Sequence, residues 1–249
     1  MKTVCIMGMG YIGLPTAALL ANRGYLVHGV DVNQNTIDTI NRGEIHIVEP
    51  DLDTFVRAAV ISGNLTANNE PTEADIFLIA VPTPFHSDKL NETTNTPTPN
   101  VDYIADATRM IAPYVKPGCL VLLESTSPVG TTDMIGRVLK SEGVDIEQVG
   151  IAHSPERVLP GNIMRELIEN DRVVGGINQQ STIEAARFYR SFVGGEVLET
   201  TAKTAEMAKL TENSFRDVNI AFSNELSMLC DDLDIDVREL ILVANKHPR

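Results

Sequence analysis

Apolar residues along this 249-residue chain follow two rhythms. Short unbroken apolar runs end in Gly, Ser, Thr or Pro. Between them lie segments whose apolar residues recur every three or four positions. The first pattern reads as buried strands and the second as amphipathic helices. "TVCIMGMG" is a buried-strand run, and a helix follows from about Gly13 to Arg23. Pro15 falls in its first turn, where a missing N–H costs little, and Gly24 stops it. "YLVHGVDV" is a second strand, followed by the helix "NQNTIDTINRG" with its stop at Gly43. "ADIFLIAVPTP" is a third strand, and residues 85–100 read as a polar Thr/Asn/Pro-rich loop. "VDYIADATRMIAPYV" is helical, "GCLVLLESTSPVG" is strand then turn, and "TTDMIGRVLKSEG" is helix. "VGIAHSPE", "RVVGG", a helix from about Ser181 to Val193, and "GEVLET" complete the alternation.

Strands alternating with helices of 10–15 residues predict βαβ units on a parallel sheet. The fold class is therefore α/β: a Rossmann-like, doubly wound parallel sheet over residues 1–200. After about Thr200 the strand signals stop. Residues 201–249 read as helix only, so a domain change is expected near residue 200. "EMAKLTENSFRDVNIAFSNEL", Glu206 to Leu226, has no Pro or Gly. Through it runs a polar row, Lys209, Asn213, Arg216 and Asp217, spaced to share one face. That row is either a solvated surface or the lining of a site.

Charge narrows the partners. With 34 acids against 20 bases, the net charge is −14. Nucleic acid and acidic membranes both favour a basic face, so neither is expected. A small anion remains compatible, because backbone N–H groups at a helix N-terminus bind phosphate in an acidic protein. Cys5, Cys119 and Cys230 lie far apart and no C-x-x-C occurs, so neither a metal site nor a disulfide framework is expected. The first residues lack a signal-peptide pattern, and no apolar run approaches the ~20 residues of a membrane span. The chain reads as cytoplasmic.

"GMGYIG" sets Gly8, Gly10 and Gly13 as G-x-G-x-x-G, with Tyr11 and Ile12 inside the turn. It follows a strand and opens a helix, and Asp31 ends the next strand. That is the context of a dinucleotide fingerprint. Gly8 permits the tight turn, Gly10 lets backbone approach a pyrophosphate, and Gly13 lets helix pack on strand. Asp31 can accept from both ribose hydroxyls and would repel a 2′-phosphate, which favours NAD over NADP. The fingerprint by itself also admits FAD, or a tight turn with no ligand. "VPTP" (Val81, Pro82, Thr83) and "ESTSPVG" (with Ser125 and Thr126) follow later strands, where loops line the ligand crevice. They are candidate cofactor or substrate contacts, although Ser/Thr turn capping explains such hydroxyls equally well. "HSPERVLPG" places Glu156 and Arg157 after a further strand. A carboxylate there could polarise a water or orient a base.

Taken in order, "GMGYIGLP", "GVDVN", "VPTP", "ESTSPVGTT", "SPERVLPG" and "AEMAKLTENSFRDVNIAFSNEL" resemble the UDP-glucose/GDP-mannose dehydrogenase family of nucleotide-sugar 6-dehydrogenases. "NRGEIHIVEPDL" and "SPERVLPG" look most like its branch acting on UDP-N-acetyl-D-mannosamine. The resemblance implies NAD as cofactor and a UDP-sugar substrate. It implies oxidation of the sugar C6 alcohol to a carboxylate by two hydride transfers, for surface polysaccharide synthesis. It maps the family's catalytic lysine onto Lys209 and its asparagine onto Asn213, suited to an oxyanion or a held water. Thr126 and Glu156 match the residues serving the water steps. Arg157 is a candidate substrate contact, and Arg249 matches an arginine that reaches a neighbouring subunit's substrate. The helical segment is expected to form a homodimer.

Two departures accompany the resemblance. Pro160 stands where some relatives carry a second glutamate. The family's nucleophilic cysteine lies in a Gly-rich stretch that these residues do not contain, and Cys5, Cys119 and Cys230 read as core residues. The expectation is a chain truncated before the sugar-nucleotide-binding domain and inactive alone. The alternatives are a non-catalytic NAD-binding or dimerisation module, or a dehydrogenase of another UDP-N-acetylhexosamine.

Overall fold

A computed structural model describes residues 2–91 and 93–247. It divides the chain into two compact units, Met1–Met207 and Ala208–Arg249. The first unit opens with β1 (Thr3–Met7), α1 (Gly13–Asn22), β2 (Leu26–Val30) and α2 (Gln34–Asn41). Next come α3 (Leu52–Ile61), β3 (Leu65–Asn68), β4 (Ile76–Ile79) and a two-stranded hairpin, β5 (Phe85–Leu90) with β6 (Pro97–Pro99). Then follow α4 (Asp102–Ile111), β7 (Leu120–Leu123), α5 (Thr131–Ser141), β8 (Gly150–His153), α6 (Ile163–Glu169), β9 (Arg172–Gly176), α7 (Gln179–Tyr189) and β10 (Val197–Thr201). The helix α8 (Ala202–Asp232) starts in this unit and continues into the second, which ends with α9 (Val237–Ala244).

The eight-stranded sheet has the order β10-β9-β8-β7-β4-β1-β2-β3. Strand order reverses between β1 and β4, and that switch point is where such sheets open a ligand crevice. β4 (IFLI) and β7 (LVLL) are buried at every position. Helices cover both faces, which is why these strands read as unbroken apolar runs. One core packs Leu14, Leu19, Leu52, Ile163 and Phe188 against one face. The other packs Ile104, Ile111, Ile135 and Leu139 against the opposite face.

The sheet departs from the expected all-parallel pattern at one place. β9 runs antiparallel to β8, pairing His153 with Gly175 and Ala152 with Gly176, and β10 follows β9 in parallel. The reversal brings the first residue of β9, Arg172, to the end of β8 where Glu156 lies. Besides α6, whose seven residues are too few to show a period, three elements went unread in the sequence. The α3 stripe Leu52, Val56 and Ala59 is helical in period and buried. β3 is a four-residue edge strand, too short to stand out. The β5–β6 hairpin lies in the segment read as loop, where Thr, Asn and Pro mask any alternation.

In the second unit α8 runs without interruption, as its lack of Pro and Gly predicts, to Asp232. The Asp236 side chain accepts from the backbone N–H groups of Arg238 and Glu239, capping α9. Among the described residues, no helix is long and apolar enough to cross a membrane.

Candidate functional site

The turn after β1 carries the fingerprint in working form. Gly8 has φ +92°, and a Cβ there would lie 2.8 Å from the carbonyl oxygen of Ala80. A Cβ on Gly13 would come within 1.8 Å of the Gly8 oxygen, so only glycine lets α1 pack this close to β1. Around Gly10 nothing lies within 4 Å of a Cβ position, which leaves the backbone open to a ligand. Tyr11 is exposed and Ile12 half-buried at the mouth of this turn. The Asp31 carboxylate is held by two backbone N–H groups, Met9 to Oδ2 at 3.0 Å and Asn33 to Oδ1 at 2.9 Å. Each oxygen keeps acceptor capacity for a hydroxyl.

A pyrophosphate requires an unfilled helix N-terminus, and the structure distinguishes the candidates. At α5 the Glu206 carboxylate accepts from Gly130 N–H at 2.6 Å and from Thr132 N–H and hydroxyl at 2.7 and 2.6 Å. At α6 the Glu49 carboxylate accepts from Gly161 N–H at 2.9 Å and Ile163 N–H at 2.7 Å. Asn33 and Asn178 cap α2 and α7. Helix α1 has no side-chain cap and no acid in its first turn. The positive end of its dipole is left uncompensated beside Gly10.

The two crevice loops after β4 and β7 are tied to each other. Thr83 donates its hydroxyl to the Thr126 carbonyl at 2.6 Å, and Ser125 donates to the Val81 carbonyl at 2.7 Å. Both hydroxyl protons are therefore engaged within the loops, and each oxygen remains able to accept. Val81 and Thr126 are half-buried and Pro82 is exposed.

Beyond β8, Glu156 is buried and anchored on three sides. Its Oε1 accepts from Arg157 N–H at 2.6 Å and Val158 N–H at 3.1 Å. Its Oε2 pairs with the Arg172 guanidinium at 2.6 Å, both side chains being almost wholly buried. Arg172 also lies 5.4 Å from the Tyr189 ring centroid, and the Tyr189 hydroxyl donates to Glu124 Oε1 at 2.8 Å. The Arg157 guanidinium reaches the Asp171 carbonyl at 3.4 Å. Arg172, Glu124, Tyr189, Glu49 and Glu206 were not singled out from the sequence. Each is a polar residue in or beside an apolar run, and its partner lies far along the chain.

Lys209 is half-buried and Asn213 exposed on α8, one turn apart as expected. Arg249 lies outside the described residues. No group of three or more His, Cys, Asp or Glu that could hold a metal occurs among the described residues. Cys5, Cys119 and Cys230 are all buried, and burial pushes the Cys5 thiol up to about 11.

A sequence model for the NAD-binding domain of the UDP-glucose/GDP-mannose dehydrogenase family matches residues 2–193, and one for its central domain matches 203–249. The chain belongs to this family. A UDP-N-acetyl-D-mannosamine dehydrogenase of Campylobacter jejuni is 55% identical over 255 residues, covering 99% of this chain and 61% of the relative. An NDP-N-acetyl-D-galactosaminuronic acid dehydrogenase of Ralstonia solanacearum is 54% identical over 257 residues, covering 100% and 59%. The solved UDP-N-acetyl-mannosamine dehydrogenase of Staphylococcus aureus is 42% identical, with a TM-score of 0.89, covering 100% of this chain and 59% of that one. The chain thus spans about three-fifths of the length of these family members. The open Gly10 turn and the uncapped α1 belong to the family's NAD-binding domain.

Proposed function

We propose that the protein acts as an NAD-dependent 6-dehydrogenase of a UDP-N-acetylhexosamine. The preferred substrate is UDP-N-acetyl-D-mannosamine, and the product is its uronate, for surface polysaccharide synthesis in the cytoplasm. The observation that carries this reading is the pairing of an open dinucleotide turn with a buried, triply anchored Glu156 in a chain of this family. NAD, when bound, supplies the hydride acceptor for the sugar C6 carbon.

The residues of this chain divide the remaining work. Gly8, Gly10, Tyr11, Ile12 and Gly13 present α1's N-terminus to the pyrophosphate, and Asp31 accepts from the ribose hydroxyls. Val81, Pro82, Thr83, Ser125 and Thr126 line the crevice and keep its two loops together. Lys209 offers an ammonium and Asn213 an amide to charge developing on a sugar oxygen. Thr126 and Glu156 serve the water step, Glu156 by polarising the water as a fixed carboxylate. Arg157 and Arg249 contribute to substrate binding. None of the three buried cysteines is suited to attack an aldehyde, so these residues are assigned the first hydride transfer and water placement, not thiol chemistry.

A second reading, an NAD-binding and dimerisation module without catalysis, is favoured by the apolar stripe on α8. Phe215, Val218, Phe222 and Leu229 are exposed at helical spacing. A homodimer through this helix suits both readings. The deciding experiment incubates the protein with NAD and each UDP-N-acetylhexosamine and counts NADH per sugar. NADH from the mannosamine sugar alone supports the dehydrogenase reading and its specificity. NAD binding with no NADH from any sugar supports the module.

A further inference from the structure

Two carboxylates and one guanidinium are buried together where β7 and β8 end and β9 begins. Glu124 is 1% exposed, Glu156 6% and Arg172 2%. The Tyr189 ring closes the far side, itself fully buried. The Thr16 hydroxyl of α1 faces Glu124, and the Ser154 hydroxyl faces Tyr189. If both acids were ionised, the cluster would bury one net negative charge. An uncompensated charge in such a place is costly enough that the group neutralises instead. The cluster therefore holds one proton beyond those of Arg172 and Tyr189.

The hydrogen-bond geometry says which acid carries it. Glu156 receives three donors, two backbone N–H groups and the guanidinium, all of which favour the carboxylate. Glu124 has only two hydroxyls beside it, that of Tyr189 donating to Oε1 and that of Thr16, and no backbone N–H donates to it. Burial pushes Glu124 up to about 7, against the pull of Arg172.

We propose that Glu124 is a protonated positioning residue: by staying neutral it leaves Arg172 wholly to Glu156, whose carboxylate is thereby kept anionic and fixed. This rests on the proposed role of Glu156 in the water step and names the residues that prepare it. Arg172 acts in the same sense, as the cation that Glu124 does not compete for. Neither residue is assigned contact with sugar or cofactor.

The test is infrared spectroscopy of the protein at pH 6, in H₂O and D₂O, on wild type and three variants. A buried carboxylic acid gives a C=O band well separated from carboxylate and amide absorptions. The wild type is expected to show it, and both Glu124→Gln and Glu156→Gln to lose it, because either leaves one acid to pair with Arg172 with no net buried charge. Tyr189→Phe, which removes the donor to Glu124 Oε1, is expected to move the band to higher frequency. Tyr189→Phe serves equally if Glu124→Gln folds poorly. Absence of the band from folded wild type overturns the proposal. So does its survival in Glu124→Gln or in Glu156→Gln, or an unmoved band in Tyr189→Phe, whose hydroxyl donates to Glu124 and not to Glu156. The role of Glu156 is judged separately, by NADH formation in Glu156→Gln. Unchanged NADH formation there refutes the water-step reading and leaves the location of the proton to the spectra.

Discussion

Glu206, on the first turns of α8, reaches Thr132 at the start of α5 and takes both its N–H and its hydroxyl on one oxygen, at 2.7 and 2.6 Å. The other oxygen takes the Gly130 N–H at 2.6 Å. A carboxylate from within the chain thus occupies the place where an anionic ligand would otherwise sit. The crevice loop that ends at Gly130 is fastened by the same contacts.

Removing that carboxylate should be expensive. Glu206 is 1% exposed, so Glu206→Ala leaves three donors, two of them buried, without an acceptor. The expected loss is roughly 3–5 kcal/mol, the usual penalty for breaking a buried charged network. Urea unfolding of the variant measures it. A loss below about 1 kcal/mol would show that water or backbone movement satisfies the donors instead.

Two buried groups make opposite contributions to stability across mildly acidic pH. Burial pulls His153 down to about 4, from an ordinary value of 6.5. Between those values the unfolded chain holds a proton that the folded one lacks, so this term makes stability rise with pH. Its contribution is fully present above 6.5 and lost as pH falls through 4. Glu124, pushed up to about 7 from 4.5, does the reverse. Its contribution is fully present below 4.5 and lost as pH rises through 7. From pH 4.5 to 6.5 the two slopes cancel, each being about 1.4 kcal/mol per pH unit. Glu124→Gln should therefore give stability that rises more steeply with pH than wild type, and His153→Leu stability that falls. Denaturant midpoints across that range measure both slopes, and parallel curves for all three proteins would contradict the assignment.

Lys209→Ala should sharply lower NADH formation from the UDP-sugar while leaving NAD affinity within a factor of two or so of wild type. An interaction made chiefly in the transition state contributes to turnover, and its removal costs on the order of 10²–10³-fold. Steady-state kinetics and a separate NAD titration test the two halves. Unchanged turnover removes Lys209 from the mechanism.

The parts of this protein that were legible in its sequence are the local ones. The strands and helices that were read each declare themselves within one run, and the G-x-G-x-x-G turn with Asp31 lies within a short stretch whose spacing states its own geometry. The row of Lys209 and Asn213 needs only helical periodicity. What was not legible depends on contacts across the chain. Glu49 meets Gly161 and Ile163 more than a hundred residues away, and Glu206 meets Gly130 and Thr132 over seventy. Arg172 opens a valine-rich strand and gives no local sign of pairing with Glu156. Its placement follows from the antiparallel turn of β9, which periodicity cannot reveal, because a buried strand has the same pattern in either direction.

The central claim is that the N-terminus of α1 and Asp31 together form the dinucleotide site. Calorimetric titration of the protein with NAD and with NADP, in wild type and in Asp31→Ala, tests it most directly. The account predicts that wild type binds NAD at least ten-fold more tightly than NADP, about 1.4 kcal/mol. Asp31→Ala should weaken NAD and close most of that gap. Equal affinity for the two dinucleotides in wild type, or a preference untouched by the substitution, would contradict it.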